Sequence, residues 1–126
     1  MIPKFRAYDG GSLCRMYSPE EVMVGNGDIW IIDEDDVAGE WIVNNDLVLM
    51  QPTGLTDKNG KEIFEGDILD SEDGFLAGVV ELRRDSGMFV STLIKYNNFE
   101  RLCSIANSRE IIGNIYSNPE LAEVDS

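Results

Sequence analysis

The chain contains no histidine. That removes the side chain most often poised to exchange a proton near neutral pH, the Ser-His and Cys-His nucleophile pairs, and most zinc sites. Cysteine is almost as scarce. Cys14 and Cys103 are the only two, they lie far apart and neither sits in a CxxC spacing. A pair of reduced, half-buried thiols is therefore expected, not a disulfide framework. No apolar run approaches the roughly 20 residues of a membrane span, and the start MIPKFRAYDGG holds no signal-peptide core, which places the chain in the cytoplasm with no membrane partner. Basic residues are few: ten Lys and Arg stand against 24 Asp and Glu, a net charge of −14. Phosphate backbones are bound by clustered cations, so direct nucleic-acid binding is disfavoured.

The scarcity of positive charge is uneven. Between residues 16 and 57 there is no Lys or Arg, while Glu20, Glu21, Asp28, Asp33, Glu34, Asp35, Asp36, Glu40, Asp46 and Asp57 all fall there. Such a window is either a solvated face that keeps the protein soluble or a surface that meets a basic partner. Glu20, Glu21, Asp33, Glu34, Asp35, Asp36 and Glu40 form the candidate acidic interaction surface. The partners that follow are a protein with a basic surface, or a further copy of the chain in a homo-oligomer.

What the chain does have is apolar residue content, 43% of 126 residues, enough for one modest core and one domain. It is laid out as short strands between turns. KFRAY (4–8) and LCRMY (13–17), around Asp9-Gly10-Gly11, read as a hairpin. DIWIID (28–33) and EWIV (40–43) flank the polar EDDVAG loop and read as a second, with Trp30 and Trp41 able to pair across it in core or cross-strand packing. LVLMQ (47–51), ended by Pro52, is a buried strand or a helical turn. FLAGVVELR (75–83) and MFVSTLIKY (88–96) around RDSG are the clearest hairpin, and EIIGNIY (110–116), apolar on both faces, suits a central or closing strand. Ser18-Pro19-Glu20-Glu21 and Ser117-Asn118-Pro119-Glu120 carry helix-start chemistry, and FERLCSIA (99–106) places Phe99, Leu102, Cys103 and Ala106 at helical spacing. The predicted class is mainly β, a β-rich α+β chain with short helical turns.

GLTDKNGKEIFEGDIL (54–69) is dense in charge and glycine, as catalytic and metal loops are. As a calcium loop it fails: with Gly60 at the glycine position, Leu55 takes the first ligand site and Gly66 the place of the bidentate glutamate. As a phosphate cradle it lacks both GxGxxG and GxxxxGK[ST]. Glu65 and Asp67 at i and i+2 would share a strand face as a carboxylate pair, yet nothing around them raises a pKa or builds a sugar platform. Turn chemistry fits better. Asn59-Gly60 is a hairpin signal in which both residues take positive φ, and Glu65-Gly66-Asp67 reads as a bend in which Gly66 supplies the backbone angle and Asp67 accepts a local N–H. Asn59, Gly60, Gly66 and Asp67 are thus structural turn residues, and no catalytic, cofactor-binding or metal-binding residue is assigned.

The segment LMQPTGLTDKNGKEIFEGDIL (49–69) resembles the signature of the YopX family of phage and prophage proteins. KFRAYD (4–9) and EIIGNIYSNPEL (110–121) resemble that family's N- and C-terminal motifs, so the similarity spans nearly the whole chain in the right order. Tyr8 stands where the family more often has Trp, and Pro52 where a non-proline residue is commoner. The resemblance implies a single YopX-like domain over 1–126. It comprises an N-terminal hairpin region (1–53) and an SH3-like β-barrel region (54–126), with self-association possible and no catalytic residues to carry over.

Three functions are in view. One is a phage-encoded accessory protein that binds itself or a basic host protein through an acidic surface. The second is a small barrel associated with nucleic acid through Arg83, Arg84, Lys95, Arg101 and Arg109, or its inverse, an acidic DNA mimic that occupies a host protein. The third, an enzyme, would need a carboxylate or a Cys14 or Cys103 mechanism and ranks last.

Overall fold

The computed structural model describes residues 5–11, 15–32 and 40–123 of the chain. The architecture is mainly β, in two compact units, Met1–Gln51 and Pro52–Ser126.

In the first unit, β1 (Arg6–Asp9) is the middle strand between β2 (Arg15–Tyr17) and a later strand, β6 (Val48–Met50). All three are antiparallel, with Ala7 opposite both Tyr17 and Leu49, so these three side chains share one face. LVLMQ is therefore a strand and not a helical turn. Ser18-Pro19 opens a 3-10 turn, Pro19–Glu21. Glu21 Oε1 closes it by accepting from the Ser18 N–H at 3.1 Å and the Ser18 hydroxyl at 3.0 Å. A second antiparallel sheet follows in the order β3 (Val22–Gly25), β4 (Asp28–Ile32), β5 (Trp41–Val43). The β3 strand was not legible as a strand, although Asn26-Gly27 marks its hairpin: both residues have positive φ, 52° and 79°, as a two-residue loop demands. Ala7, Tyr17, Val22, Ile31 and Leu47 form the core of this unit, with Ile29 and Leu49 packed on it.

In the second unit, β7 (Pro52–Thr56) pairs with β8 (Glu62–Phe64). A five-stranded antiparallel sheet runs in the order β12 (Phe99–Arg101), β11 (Met88–Leu93), β10 (Gly78–Arg83), β9 (Asp67–Asp70), β13 (Glu110–Asn114). Its ladder is open among the described residues, with β12 and β13 at the two ends. EIIGNIY is thus an edge strand paired only with β9 and bulged at Ile112, between Ile111 and Gly113. FERLCSIA divides into β12 and the short helix α1 (Leu102–Ile105), because Phe99, Glu100 and Arg101 pair with Thr92, Ser91 and Val90 before the helix begins. Ile63, Leu69, Val80, Leu102 and Ala106 form the core. Cys103 lies on α1 and is exposed, not half-buried, since the helix turns Leu102 and Ala106 inward. Cys14 and the EDDVAG loop lie outside the described residues.

Candidate functional site

The charged stretch of residues 54–69 is used inwardly. Asp57 is 3% exposed. Its Oδ1 accepts from the N–H groups of Asn59 and Lys61, both at 2.9 Å, and its Oδ2 accepts from the N–H of Ile111 on β13 at 3.1 Å. Ile111 therefore meets this carboxylate on the side of β13 away from β9, where a neighbouring strand would otherwise sit. Burial works against the charged form, but the amides of Ile111, Lys61 and Asn59 and the Lys61 charge outweigh it and hold the Asp57 carboxyl below its ordinary value. Asp57 is thus no member of a solvated acidic face.

The turn itself differs from the expected hairpin type. Gly60 has φ 82°, whereas Asn59 stays at negative φ. The Gly60 N–H donates to the Asp57 carbonyl at 3.0 Å, and the Asp57 N–H to the Lys61 carbonyl at 2.8 Å. This is a turn followed by a left-handed glycine, the alternative a longer hairpin loop allows.

Gly66 sits at φ 90° between β8 and β9. Its N–H donates to the Val80 carbonyl at 2.8 Å and its carbonyl accepts from the Ile115 N–H at 2.9 Å. Asp67 is 1% exposed and its Oδ2 accepts from the Phe64 N–H at 2.8 Å. Because the bend intervenes, Glu65 lies outside the strand and does not share a pleat face with Asp67. Asp73 and Asp85 also lie below the ordinary value, through bonds from the Ser71 hydroxyl and the Arg83 guanidinium. For Asp57, Asp73 and Asp85 that direction is the reverse of what a general acid needs. Among the described residues no three of Cys, Asp and Glu converge as metal ligands.

Of the acidic surface residues, Glu20 and Glu40 are exposed. Glu21 is engaged with Ser18 and forms an ion pair with Arg15, whose guanidinium lies 4.5 Å from the Tyr17 ring centre. Asp33, Glu34, Asp35 and Asp36 lie outside the described residues.

The residues that residue-type reasoning missed are apolar. In the sheet of β3, β4 and β5 the register sets Met23 opposite Trp30, Trp30 opposite Val43, and Ile32 opposite Trp41. Strand alternation puts all five on one face, with Asp28 at its margin. Val22 and Ile31 point the other way, into the core. The two tryptophans do not pair directly; they are diagonal neighbours on the outer face. Met23 is 47%, Val43 44% and Trp41 38% exposed, while Trp30 and Ile32 are half-buried. The Trp30 Nε1–H donates to the Gly25 carbonyl at 3.3 Å, which satisfies its one polar atom within the sheet. No described strand pairs with the outer edge of β3 or of β5.

Two of the basic residues of the C-terminal unit are engaged within the fold. Arg109 is buried, and its Nη2 donates to both oxygens of Glu100 at 3.0 Å, so it is not available to a phosphate. Arg83 lies 4.3 Å from the Phe99 ring centre and pairs with Asp85 at 3.4 Å. Arg83 and Phe99, together with Thr92, Asn97 and Asn98, line a shallow depression of about 280 Å³.

These features belong to a small, mainly β protein whose best-buried acids, Asp57 and Asp67, face its own backbone. The YopX protein family model matches residues 4–123, and the chain belongs to that family. Protein EF1440 from Enterococcus faecalis has a similar structure, with 29% identity, a TM-score of 0.60 and coverage of 98% of this chain and 99% of that one. The yopX protein from Bacillus subtilis shares the fold at 20% identity and a TM-score of 0.59, over 94% of this chain and 97% of its own. No curated protein matches the chain. No helix among the described residues is long and apolar enough to cross a membrane.

Proposed function

We propose that the chain is a phage or prophage accessory protein that works in the bacterial cytoplasm by binding another protein, and not as an enzyme. One observation carries this reading: Met23, Trp30, Ile32, Trp41 and Val43 occupy one face of a sheet whose other face sends Val22, Ile29 and Ile31 to the core, while Val24 and Ile42 on that face stay exposed. An exposed contiguous apolar face with two tryptophans is the composition of a contact surface, since such residues supply large buried area at little entropic cost. The C-terminal unit, for which the family likeness implies an SH3-like arrangement, serves on this reading as a stable base.

The test compares capture from host lysate by the wild type and by the double variant Met23→Asp, Val43→Asp, together with hydroxyl-radical footprinting of the captured complex. Loss of capture in the variant and protection of Trp30 and Trp41 in the complex are expected. Equal capture by both proteins, or a footprint elsewhere, rules the reading out.

A further inference from the structure

Arg83 and Phe99 come from different strands of the five-stranded sheet and stack on each other. Register and alternation put Glu81 and Arg83 of β10, Thr92 of β11, and Phe99 and Arg101 of β12 on one face, opposite to the core residue Val80. The Arg83 guanidinium covers part of the Phe99 ring, and Phe99 remains 36% exposed. A guanidinium stacked this way keeps its N–H edge free to meet an anion. Its Nε and Nη2 reach Asp85 at 3.4 Å each, a long pair between exposed side chains that another anion can replace at small cost.

The rest of the depression is polar. The Thr92 hydroxyl donates to Glu81 at 2.7 Å and keeps its lone pairs as acceptors. Asn98 Oδ1 accepts from the Phe99 N–H at 2.8 Å, which leaves the amide NH₂ to donate. The exposed Asn97 offers a donor and an acceptor side by side. An aromatic ring, a flat cation and two carboxamides together suit a planar heterocycle that carries an anionic group.

Charge and size narrow the occupant. Residues 83–101 hold Arg83, Arg84, Lys95 and Arg101, four of the chain's ten cations, against Asp85 and Glu100. Glu100 points the other way, to the buried Arg109. Glu81 and Asp85 still stand at the depression, so one phosphate is matched by Arg83 while a chain of phosphates meets repulsion. A volume of about 280 Å³ lies just under the range of drug-sized sites, ~300–1,000 Å³, and holds one ring with small substituents.

We infer that this depression binds a nucleoside monophosphate, its base on the open part of the Phe99 ring, the edge of the base at Asn97 and Asn98, and its phosphate on Arg83 in place of Asp85. The site belongs to the C-terminal unit and is independent of the protein-binding reading.

Amide NMR of the isotope-labelled full chain is followed during titration with adenosine monophosphate, adenosine, inorganic phosphate and a short oligodeoxyadenylate. Adenosine monophosphate is expected to move the Thr92 and Phe99 amides, the Arg83 Nε–H and the Asn97 and Asn98 carboxamides in one saturable step. Adenosine is expected to bind about tenfold more weakly for want of the charged contact, and phosphate alone to leave these signals in place. Arg83→Gln is expected to weaken the monophosphate about tenfold, and Phe99→Leu to do the same through lost stacking. Should Phe99→Leu lose the dispersed spectrum of a folded chain, Asn97→Ala, at an exposed position, is expected to weaken binding about threefold. No shift with the monophosphate, equal shifts with phosphate alone, shifts confined to other parts of the chain, or unchanged affinity in Arg83→Gln overturns the inference. Tighter binding of the oligonucleotide than of the monophosphate also overturns it, and makes the depression a contact for single-stranded nucleic acid.

Discussion

Asp57 joins two parts of the C-terminal unit that lie 54 residues apart, because one of its three donors belongs to its own loop's far partner, Ile111. Replacing it with alanine leaves the amides of Asn59, Lys61 and Ile111 without their acceptor. A loss of about 2–3 kcal/mol in urea unfolding is expected. The carboxyl is held below its ordinary value of 3.8 in the folded chain, so the unfolded chain takes up the proton first as pH falls. Its stabilisation is full above the ordinary aspartate range and is lost below about pH 4, as pH drops through the folded value. The gap between wild type and Asp57→Ala should therefore narrow when urea midpoints are compared between neutral pH and about pH 3. At Gly66, φ 90° is closed to side chains with a Cβ. Gly66→Ala should cost about 1–2 kcal/mol in the same assay. Turn chemistry made Gly66 legible from its neighbours alone. Asp57 falls at the end of the acid-rich window in the sequence, and nothing near it there shows its burial, because one bond that buries it comes from across the fold.

Between elements, register matters more than residue type. Val22 and Met23 are adjacent apolar residues of β3, yet the pleat sends Val22 into the core and Met23 to the outer face. Val22→Asp buries an unpaired carboxylate and is expected to unfold the N-terminal unit, while Met23→Asp should change the unfolding free energy by less than about 1 kcal/mol. Circular dichroism of the two variants checks this. The hairpin of β4 and β5 was readable from its aromatic and β-branched runs. Which tryptophan faced which residue was not, because one residue of shift moves every side chain to the other face. Strand β3 went unread even though Asn26-Gly27 announced it: its residues VMVG are too few for alternation to be seen. FERLCSIA misled in the opposite way. Its helical spacing is real, but pairing with β11 takes the first three residues into the sheet.

At the scale of the molecule, the two units each have a core of their own. The segment 52–126 contains β7 to β13, α1 and the Asp57 and Gly66 contacts. Expressed alone, it is expected to give a cooperative thermal transition and dispersed amide resonances; a non-cooperative transition would show that its core is insufficient. The mainly β class and membership of the YopX family were both legible in the sequence. Turn residues and period-two runs act within a few positions, and three motifs in order mark a lineage whatever their contacts. Which acid among 24 is buried against backbone amides, and which face of DIWII stays open, were settled only in three dimensions. DIWII is apolar on both sides, so alternation could not rank its faces; that required the pairing of β3 and β5 and the core beneath them.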